Sequence, residues 1–286
     1  MCEAHQLRPS INAKLRQDPT FTKTLRQKFE AEVNRRYKKV LAELNDFMAQ
    51  APEVVINKRY EFPVGPLETA TILDFLNESV RRNVIDPAEA ERIVREKGVT
   101  PDPNNWVEGY LYGAYKKGAR RAQNEINKRL PKGNNVDLMK GALKRQNHQG
   151  KLEQILGRVY TDLEKIDEAM QAGIRREIAL GLEAGEGTAK IAKRIEGRVE
   201  KIGRTRSRVL ARTEVIRTHH QANIASYREA GVKQIVVQAE FSTAGDGRVC
   251  SECKGLEGKK FDLKTIEDMI PVHPNCRCVA LPVVDL

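Results

Sequence analysis

Four cysteines and one histidine near the C-terminal end of the sequence have the residue types and the spacing of a metal site. Cys250 and Cys253 form a C-x2-C pair, and His273, Cys276 and Cys278 follow as H-x2-C-x-C. Thiolates and imidazoles are the ligands that proteins use for zinc. Two closely spaced ligand pairs, brought together by a folded insert, typically complete a tetrahedral site. The pattern therefore predicts a structural zinc site with five candidate ligands for four positions.

The two halves of the pattern leave one ligand position undecided. A C-x2-C turn points two thiolates at one ion, and the H-x2-C pair offers the other two corners, with a proline stiffening the turn between them. Cys250, Cys253 and Cys276 are therefore predicted ligands, while His273 and Cys278 compete for the fourth position. We favour His273 and keep Cys278 as the alternative ligand.

Disulfides and inert buried thiols are the alternative interpretations of the cysteine cluster. In a secreted protein, four such cysteines would predict two disulfides. The sequence from Met1 to Gln6 leads into no apolar stretch of the signal-peptide kind, and Cys2 is the only cysteine outside the cluster. We therefore expect a reducing compartment and favour metal binding. The few apolar residues of 250–278 would need the ion to hold that segment together.

The same cluster could in principle serve a zinc enzyme. A catalytic zinc keeps one position open for water and has a general base nearby, for which Asp246, Glu252 and Glu214 are candidates. At least four ligands are available here, which favours a closed structural site. A deaminase would carry a glutamate two residues after its ligand histidine, where this sequence has Asn275. We expect no enzyme activity, with a zinc-dependent hydrolase, nuclease, deaminase or toxin as the alternative.

Positive charge is concentrated away from the cysteines. The net charge is +11, and residues 187–232 hold eleven Lys and Arg against four Glu, whereas 250–286 hold five against six acids. Arg204, Arg208 and Arg212 recur at helical spacing, and this predicts a face for nucleic acid or an acidic partner. A charged face exposed only to solvent stays the alternative. No apolar run approaches the roughly 20 residues that span a bilayer, so we expect no membrane association.

Helical periodicity dominates the elements that must position the cluster. The predicted helices are 22–50, 67–83, 87–97, 105–129, 152–182, 187–195 and 203–230. Gly109 and Gly113 each cost their helix about 1 kcal/mol, so a close helix approach is expected there. The short helix at 187–195 could open a helix-turn-helix reader, but the expected turn and recognition helix do not follow it.

Late in the chain, apolar and polar residues alternate with a period of two, which predicts strands at 233–241 and 279–284. A short helix is predicted between them, at 263–269. A shorter strand-like run lies at 54–56. The predicted fold class is α+β. A helical N-terminal region (1–135) and a body of long amphipathic helices (136–232) precede a small C-terminal α+β zinc-knuckle module (233–286).

The spaced motifs of residues 140–283 resemble the phage head morphogenesis family, the Mu protein F-like minor capsid proteins. The motifs that carry the resemblance are Leu210-Ala211-Arg212-Thr213-Glu214, Ala222-Asn223, Gly231, Thr243 to Cys250, Cys253, Gly258 and His273 to Cys278. One departure is Phe241, where many members place a tryptophan. This is an aromatic change of similar volume.

The resemblance implies a minor head protein that acts in head morphogenesis. It would associate with the portal protein and with the major capsid or scaffold proteins of the procapsid, and some relatives are linked to packaged DNA. The implied location is the virion, in the capsid interior or at the portal vertex, after assembly in the host cytoplasm. A basic nucleic-acid-binding protein stays a further alternative, since the helical segment 187–232 is strongly basic.

Overall fold

The computed structural model describes residues 18–49, 69–84, 105–141, 144–184, 186, 188–232 and 236–284. The elements in chain order are α1 (Lys23–Ala49), α2 (Thr69–Asn83), α3 (Trp106–Asn127), α4 (Gln146–Glu183), α5 (Thr188–Val232), β1 (Val236–Ser242), α6 (Ser251–Leu256), β2 (Lys260–Asp262), α7 (Leu263–Met269) and β3 (Val279–Val284). The predicted α+β class, with a helical body and a small C-terminal sheet, is confirmed. Among the described helices, none has a stretch long and apolar enough to cross a bilayer.

Most predicted helices agree with the structure to within a few residues, but one predicted break is wrong. The sequence predicted separate helices at 187–195 and 203–230, whereas α5 is continuous over 45 residues. Ile195 and Val199 are fully buried on one face across this region. Gly197 and Gly203 each cost about 1 kcal/mol in a helix interior. The burial of the two aliphatic side chains contributes roughly 1.5–3 kcal/mol each, which is more than this cost. The predicted strand at 54–56 and helix at 87–97 lie outside the described residues.

The chain divides into two compact units. The first comprises 1–27, 100–152 and 212–286, and the second comprises 28–99 and 153–211. The long helices α4 and α5 therefore contribute to both units. The division into three consecutive segments, predicted from sequence, stays a prediction.

The described part of the second unit is built from helices around an apolar core. Its buried side chains include Phe29, Val33, Val40, Leu44, Leu76, Val80, Ile155, Leu163, Met170, Ile195 and Val199. One carboxyl interrupts this apolar environment: Asp167 accepts from the Gln171 amide at 3.1 Å, and burial raises the pKa of Asp167 to about 6. The hydroxyl of Tyr37 is buried. Its burial, and to a smaller extent the charge of Asp167, raises the pKa of that phenol.

The first unit contains the sheet, with strand order β2-β1-β3 and both pairs antiparallel. β1 pairs Ala239 with Phe261 of β2 and Phe241 with Ala280 of β3. Three of the four clustered cysteines belong to the apolar core beside this sheet. That core contains Ala122, Ile126, Leu138, Ile216, Ile224, Tyr227, Phe241, Cys253, Leu263, Ile266, Ile270, Cys276, Cys278 and Ala280. The C-terminal segment thus shares its core with α3 and with the end of α5.

A glycine permits the close approach of α3 and α5 within this unit. A Cβ built on Gly118 would lie 2.2 Å from the carbonyl oxygen of His219 and 2.8 Å from the Ala222 Cβ. The sequence predicted such an approach at Gly109 and Gly113, but a Cβ on Gly113 would meet Leu25 at an ordinary 3.7 Å. Gly118, and not Gly113, is therefore the glycine at the crossing of α3 and α5.

Buried hydrogen bonds fasten the end of α5 to the C-terminal segment. The Nε2 of His220 donates to the Ile266 carbonyl at 2.9 Å, and the Tyr227 hydroxyl donates to the Ala280 carbonyl at 3.1 Å. Burial lowers the pKa of His220 to about 4, so this histidine is neutral at physiological pH. The sequence favoured a surface or packing role over a ligand role for this histidine, and it packs against α7.

Candidate metal centre

Local backbone structure brings the predicted ligands to one place. Cys250 is the N-cap of α6, and its sulfur accepts the backbone N–H of Cys253 at 3.4 Å. On the other side of the cluster, the N–H of Cys276 donates to the His273 carbonyl at 3.1 Å and closes a turn. Asn275 within this turn has a φ of 66°, a left-handed conformation that asparagine tolerates better than most residues. The chain then passes into β3.

The five side chains form two overlapping triads that share one cysteine. The ligand atoms of Cys250, Cys253 and His273 lie within 4.8 Å of one another, as do those of Cys253, Cys276 and Cys278. The Nε2 of His273 lies 3.3 Å from the sulfurs of both Cys250 and Cys253. Zinc–sulfur bonds of about 2.3 Å and zinc–nitrogen bonds of about 2.0 Å at a tetrahedral angle imply a nitrogen–sulfur separation of about 3.5 Å. The cluster could therefore bind a metal.

The orientation of His273 also suits a metal ligand. Its Nδ1 donates to the Pro274 carbonyl at 2.9 Å, which leaves the lone pair on Nε2, the nitrogen that faces the two sulfurs. Metal-binding histidines usually donate their second ring N–H to a carbonyl or carboxylate, which fixes the tautomer. His273 thus meets this condition within its own turn. The hydrogen bond to Pro274 and the neighbouring thiols raise the pKa of His273.

The thiols of the cluster differ in how readily they ionise. The hydrogen bond from Cys278 lowers the pKa of Cys276 to about 5, whereas burial raises the pKa of Cys253 to about 12. Hydrogen bonding to Cys276 together with burial raises the pKa of Cys278 as well. A divalent cation would favour all the coordinating thiolates, so metal binding would release protons. All four cysteines are free thiols, which does not support the two-disulfide interpretation.

One carboxylate beside the cluster is engaged by two arginines. Asp246 accepts two hydrogen bonds from Arg277, at 2.6 and 2.7 Å, and two from Arg248, at 3.0 Å from the backbone and 3.1 Å from the side chain. The Arg277 hydrogen bonds, foremost, hold the pKa of Asp246 well below its usual range. The sequence named Asp246 as a candidate general base. A carboxylate so stabilised as an anion has little tendency to accept a proton at neutral pH.

The contribution of Arg277 was missed from sequence. Arg277 lies between Cys276 and Cys278, and a motif of metal ligands gives no information about the role of the residue between them. Glu214, another candidate base, is almost fully buried and forms an ion pair with Arg217 on its own helix. Glu252 is exposed on α6.

The arginines predicted to form a cationic face all have partners. Arg204 forms an ion pair with Glu200, and Arg208 donates to Glu30 at 3.0 Å. Both of these arginines belong to the second unit. Arg212, in the first unit, donates to the Asn275 side chain at 3.3 Å. The Arg212 contact joins α5 to the turn that carries His273 and Cys276.

Comparison with known proteins supports the resemblance read from the motifs. Residues 172–281 match the family described as Phage Mu protein F like protein. The chain is also similar to the Minor head protein GP7 of Bacillus phage SPP1, with 31% identity. That alignment covers 39% of this chain and 40% of the relative's length. No solved structure matches the chain.

The region that matches the Mu protein F-like family contains the whole candidate metal centre. It begins in the second half of α4, includes all of α5 and ends within β3. It therefore contains the five candidate ligands, the arginine–carboxylate contacts around them and the helix to which the cluster is fastened. Residues 18–171 lie outside the family match.

Proposed function

We propose that this protein is a minor head protein that acts in phage head morphogenesis. The observation that carries the proposal is the match of residues 172–281 to the Mu protein F-like family, in a segment that contains the end of α4, all of α5 and the cysteine-rich α+β module. The similarity to a minor head protein of a Bacillus phage supports the same role. The proposed role is structural and not enzymatic. Two of the three candidate bases, Asp246 and Glu214, are held in ion pairs.

We further propose that the cysteine cluster holds one structural zinc ion. Cys250, Cys253, His273 and Cys276 are the proposed ligands, and Cys278 is the alternative to His273. The tautomer of His273 and the 3.3 Å separations from its Nε2 support its inclusion. Bound zinc would cross-link α6 to the segment before β3. The residues around it would hold that cross-link against α5.

The metal proposal is tested by elemental mass spectrometry on the purified chain, paired with a thiol count under denaturing conditions. One zinc per chain, together with five reactive thiols after unfolding and chelation, is the expected result. A metal-free chain with two fewer or four fewer reactive thiols would contradict the proposal in favour of disulfides. A nickel-affinity tag should be avoided in the purification, because leached metal would confuse the stoichiometry.

The proposed partners are the portal protein and the major capsid or scaffold proteins. The proposed location is the virion, at the portal vertex or in the capsid interior, after assembly in the host cytoplasm. Co-expression of the chain with the portal, capsid and scaffold proteins of its phage tests this proposal. The chain should sediment with procapsids and be reduced in procapsids assembled without the portal. Exclusion from all procapsids would refute the proposed role.

Contact with packaged DNA is a second candidate activity, and the structure favours α3 over α5 for it. Lys116, Lys117 and Arg120 are exposed on α3, and none of them forms an ion pair with another described residue. By contrast, Arg204 and Arg208 on α5 are paired with glutamates. Counterion release makes DNA affinity fall steeply with salt in proportion to the phosphates contacted. Replacing the three α3 cations with alanine should flatten the salt dependence, whereas replacing the two α5 arginines should change it less.

A further inference from the structure

The Asp246 carboxylate lies where the two halves of the candidate metal site meet. It precedes Cys250 by four residues on the chain segment that enters α6. Its partner Arg277 lies on the second segment, directly between Cys276 and Cys278. The two residues are 31 positions apart. The Nη1 of Arg277 donates to Oδ2 of Asp246 at 2.7 Å, and its Nη2 donates to Oδ1 at 2.6 Å. One ion pair thus connects the segments that carry the two ligand groups.

The geometry of this pair restricts the ligands on either side of Arg277. A two-pronged guanidinium–carboxylate contact fixes orientation as well as distance, which a single contact from lysine would not. Arg277 is flanked by two buried cysteines, while its own side chain is only 16% exposed. The sulfurs of Cys276 and Cys278 lie within 4.8 Å of each other, on either side of Arg277 in the chain. Holding Arg277 on Asp246 therefore restricts the positions of both cysteines.

The loop that carries Asp246 is itself anchored. The N–H of Thr243 donates to the Glu257 carboxylate at 2.7 Å, and the N–H of Val249 donates to the Asp246 carbonyl at 3.2 Å. Gly245 adopts a φ of 66°, which a residue with a side chain would disfavour. Asp246 is therefore presented from a fixed loop and gives Arg277 a fixed point of attachment.

We infer that Asp246 is a positioning residue for the metal site, acting through Arg277 to hold the ligand Cys276, and with it the alternative ligand Cys278, at the cluster. The inference rests on the proposed zinc site. Partners that orient metal ligands through hydrogen bonds typically change metal affinity by 10–100-fold when they are removed. Loss of the Asp246 carboxylate should therefore accelerate zinc release without removing any ligand.

The test measures zinc transfer from the full chain, loaded with one equivalent of zinc, to an excess of a chromogenic chelator. Asp246→Asn should release zinc 10–100-fold faster than the wild-type chain. Arg277→Lys keeps the charge but loses the two-pronged contact, and it should show a smaller acceleration. Asp262→Asn is the matched control, because the Asp262 carboxylate accepts three hydrogen bonds, all from residues of α7. The urea midpoint of each zinc-free variant separates general loosening from loss of ligand positioning.

The outcomes distinguish the positioning role from the metal site itself. A wild-type chain that takes up no zinc refutes the proposed metal site and, with it, this inference. A chain that binds zinc, but whose Asp246→Asn variant releases it at the wild-type rate, refutes the positioning role alone. Equal acceleration in Asp262→Asn would also overturn the positioning role, since general destabilisation would then account for the effect. If Asp246→Asn does not fold, Arg277→Lys decides by the same comparison.

Discussion

The crossing of α3 and α5 at Gly118 leaves no room for a side chain, so one added methyl group should weaken the first unit. A Cβ at this position would lie 2.2 Å from the His219 carbonyl oxygen and 2.8 Å from the Ala222 Cβ. Both neighbours belong to α5, and a backbone carbonyl cannot rotate away as the end of a long side chain can. Gly118→Ala therefore requires the two helices to move apart.

The expected magnitude is the difference between two opposing effects. Overpacking a well-packed core costs roughly 1–3 kcal/mol, and a backbone clash lies at the upper end of that range. Alanine is favoured over glycine in a helix interior by about 1 kcal/mol. The net loss in the free energy of unfolding should be about 2 kcal/mol. In a protein of this size, that lowers the melting temperature by roughly 4–8 °C.

The assay is urea unfolding of the full chain, followed by circular dichroism and by fluorescence of Trp106, which begins α3. Gly197→Ala is the matched control, because Gly197 is exposed within α5 and a Cβ there would meet nothing within 4 Å. Alanine should stabilise the control by up to about 1 kcal/mol. Equal stabilisation by both substitutions would refute the close approach at Gly118. If both substitutions destabilise the protein, the helix preference for alanine over glycine does not offset the clash at Gly118 in the way expected.

Three further predictions concern the cluster and the buried titratable groups. Cys253→Ser should abolish stoichiometric metal binding, because Cys253 belongs to both triads. His273→Ala should retain metal through Cys278, at lower affinity. Elemental analysis of both variants checks this prediction. Asp167→Asn should stabilise the protein at pH 7. Because the pKa of Asp167 is raised in the folded protein, the contribution of its protonated form to stability is lost as pH rises from about 4 to about 6. Urea midpoints measured across that interval should therefore vary less in the variant than in the wild-type chain. His220 has a lowered pKa, so its contribution to stability is present above pH 6.5 and is lost as pH falls towards 4; His220→Gln should weaken that acid dependence.

The helices could be predicted from sequence because their apolar residues recur at helical spacing over many turns. The predicted helix over 152–182 is observed as Gln146–Glu183, and Asn105 caps α3 as its residue type suggests, accepting from Val107 at 2.9 Å. The break predicted before Gly203 was wrong, because local glycine preference was weighed without the buried faces of Ile195 and Val199. Tertiary packing decided that region, and single-sequence periodicity cannot supply it.

The ligand types of the candidate site could be predicted from spacing alone, while the residues that hold those ligands could not. Cys250, Cys253 and His273 come together as the motif indicates. The contact between Asp246 and Arg277 joins positions 31 residues apart, and no periodicity or short motif encodes such a pair. The same limit explains why Gly118, and not Gly113, proved to be the close-approach position. Both glycines lie on α3, and only the path of α5 distinguishes them.

The shared core of the first unit changes what loss of the metal should do. If the module of residues 233–286 were independent of the helices, loss of the metal would unfold it alone and leave the long helices intact. In the structure, Cys253, Cys276 and Cys278 pack in one core with Ile216 and Tyr227 of α5. Because these side chains lose packing partners when the cluster loosens, the end of α5 should lose protection together with the module. Hydrogen exchange that increases in 212–232 after zinc removal would support this coupling, and an unchanged exchange there would restore the independent module.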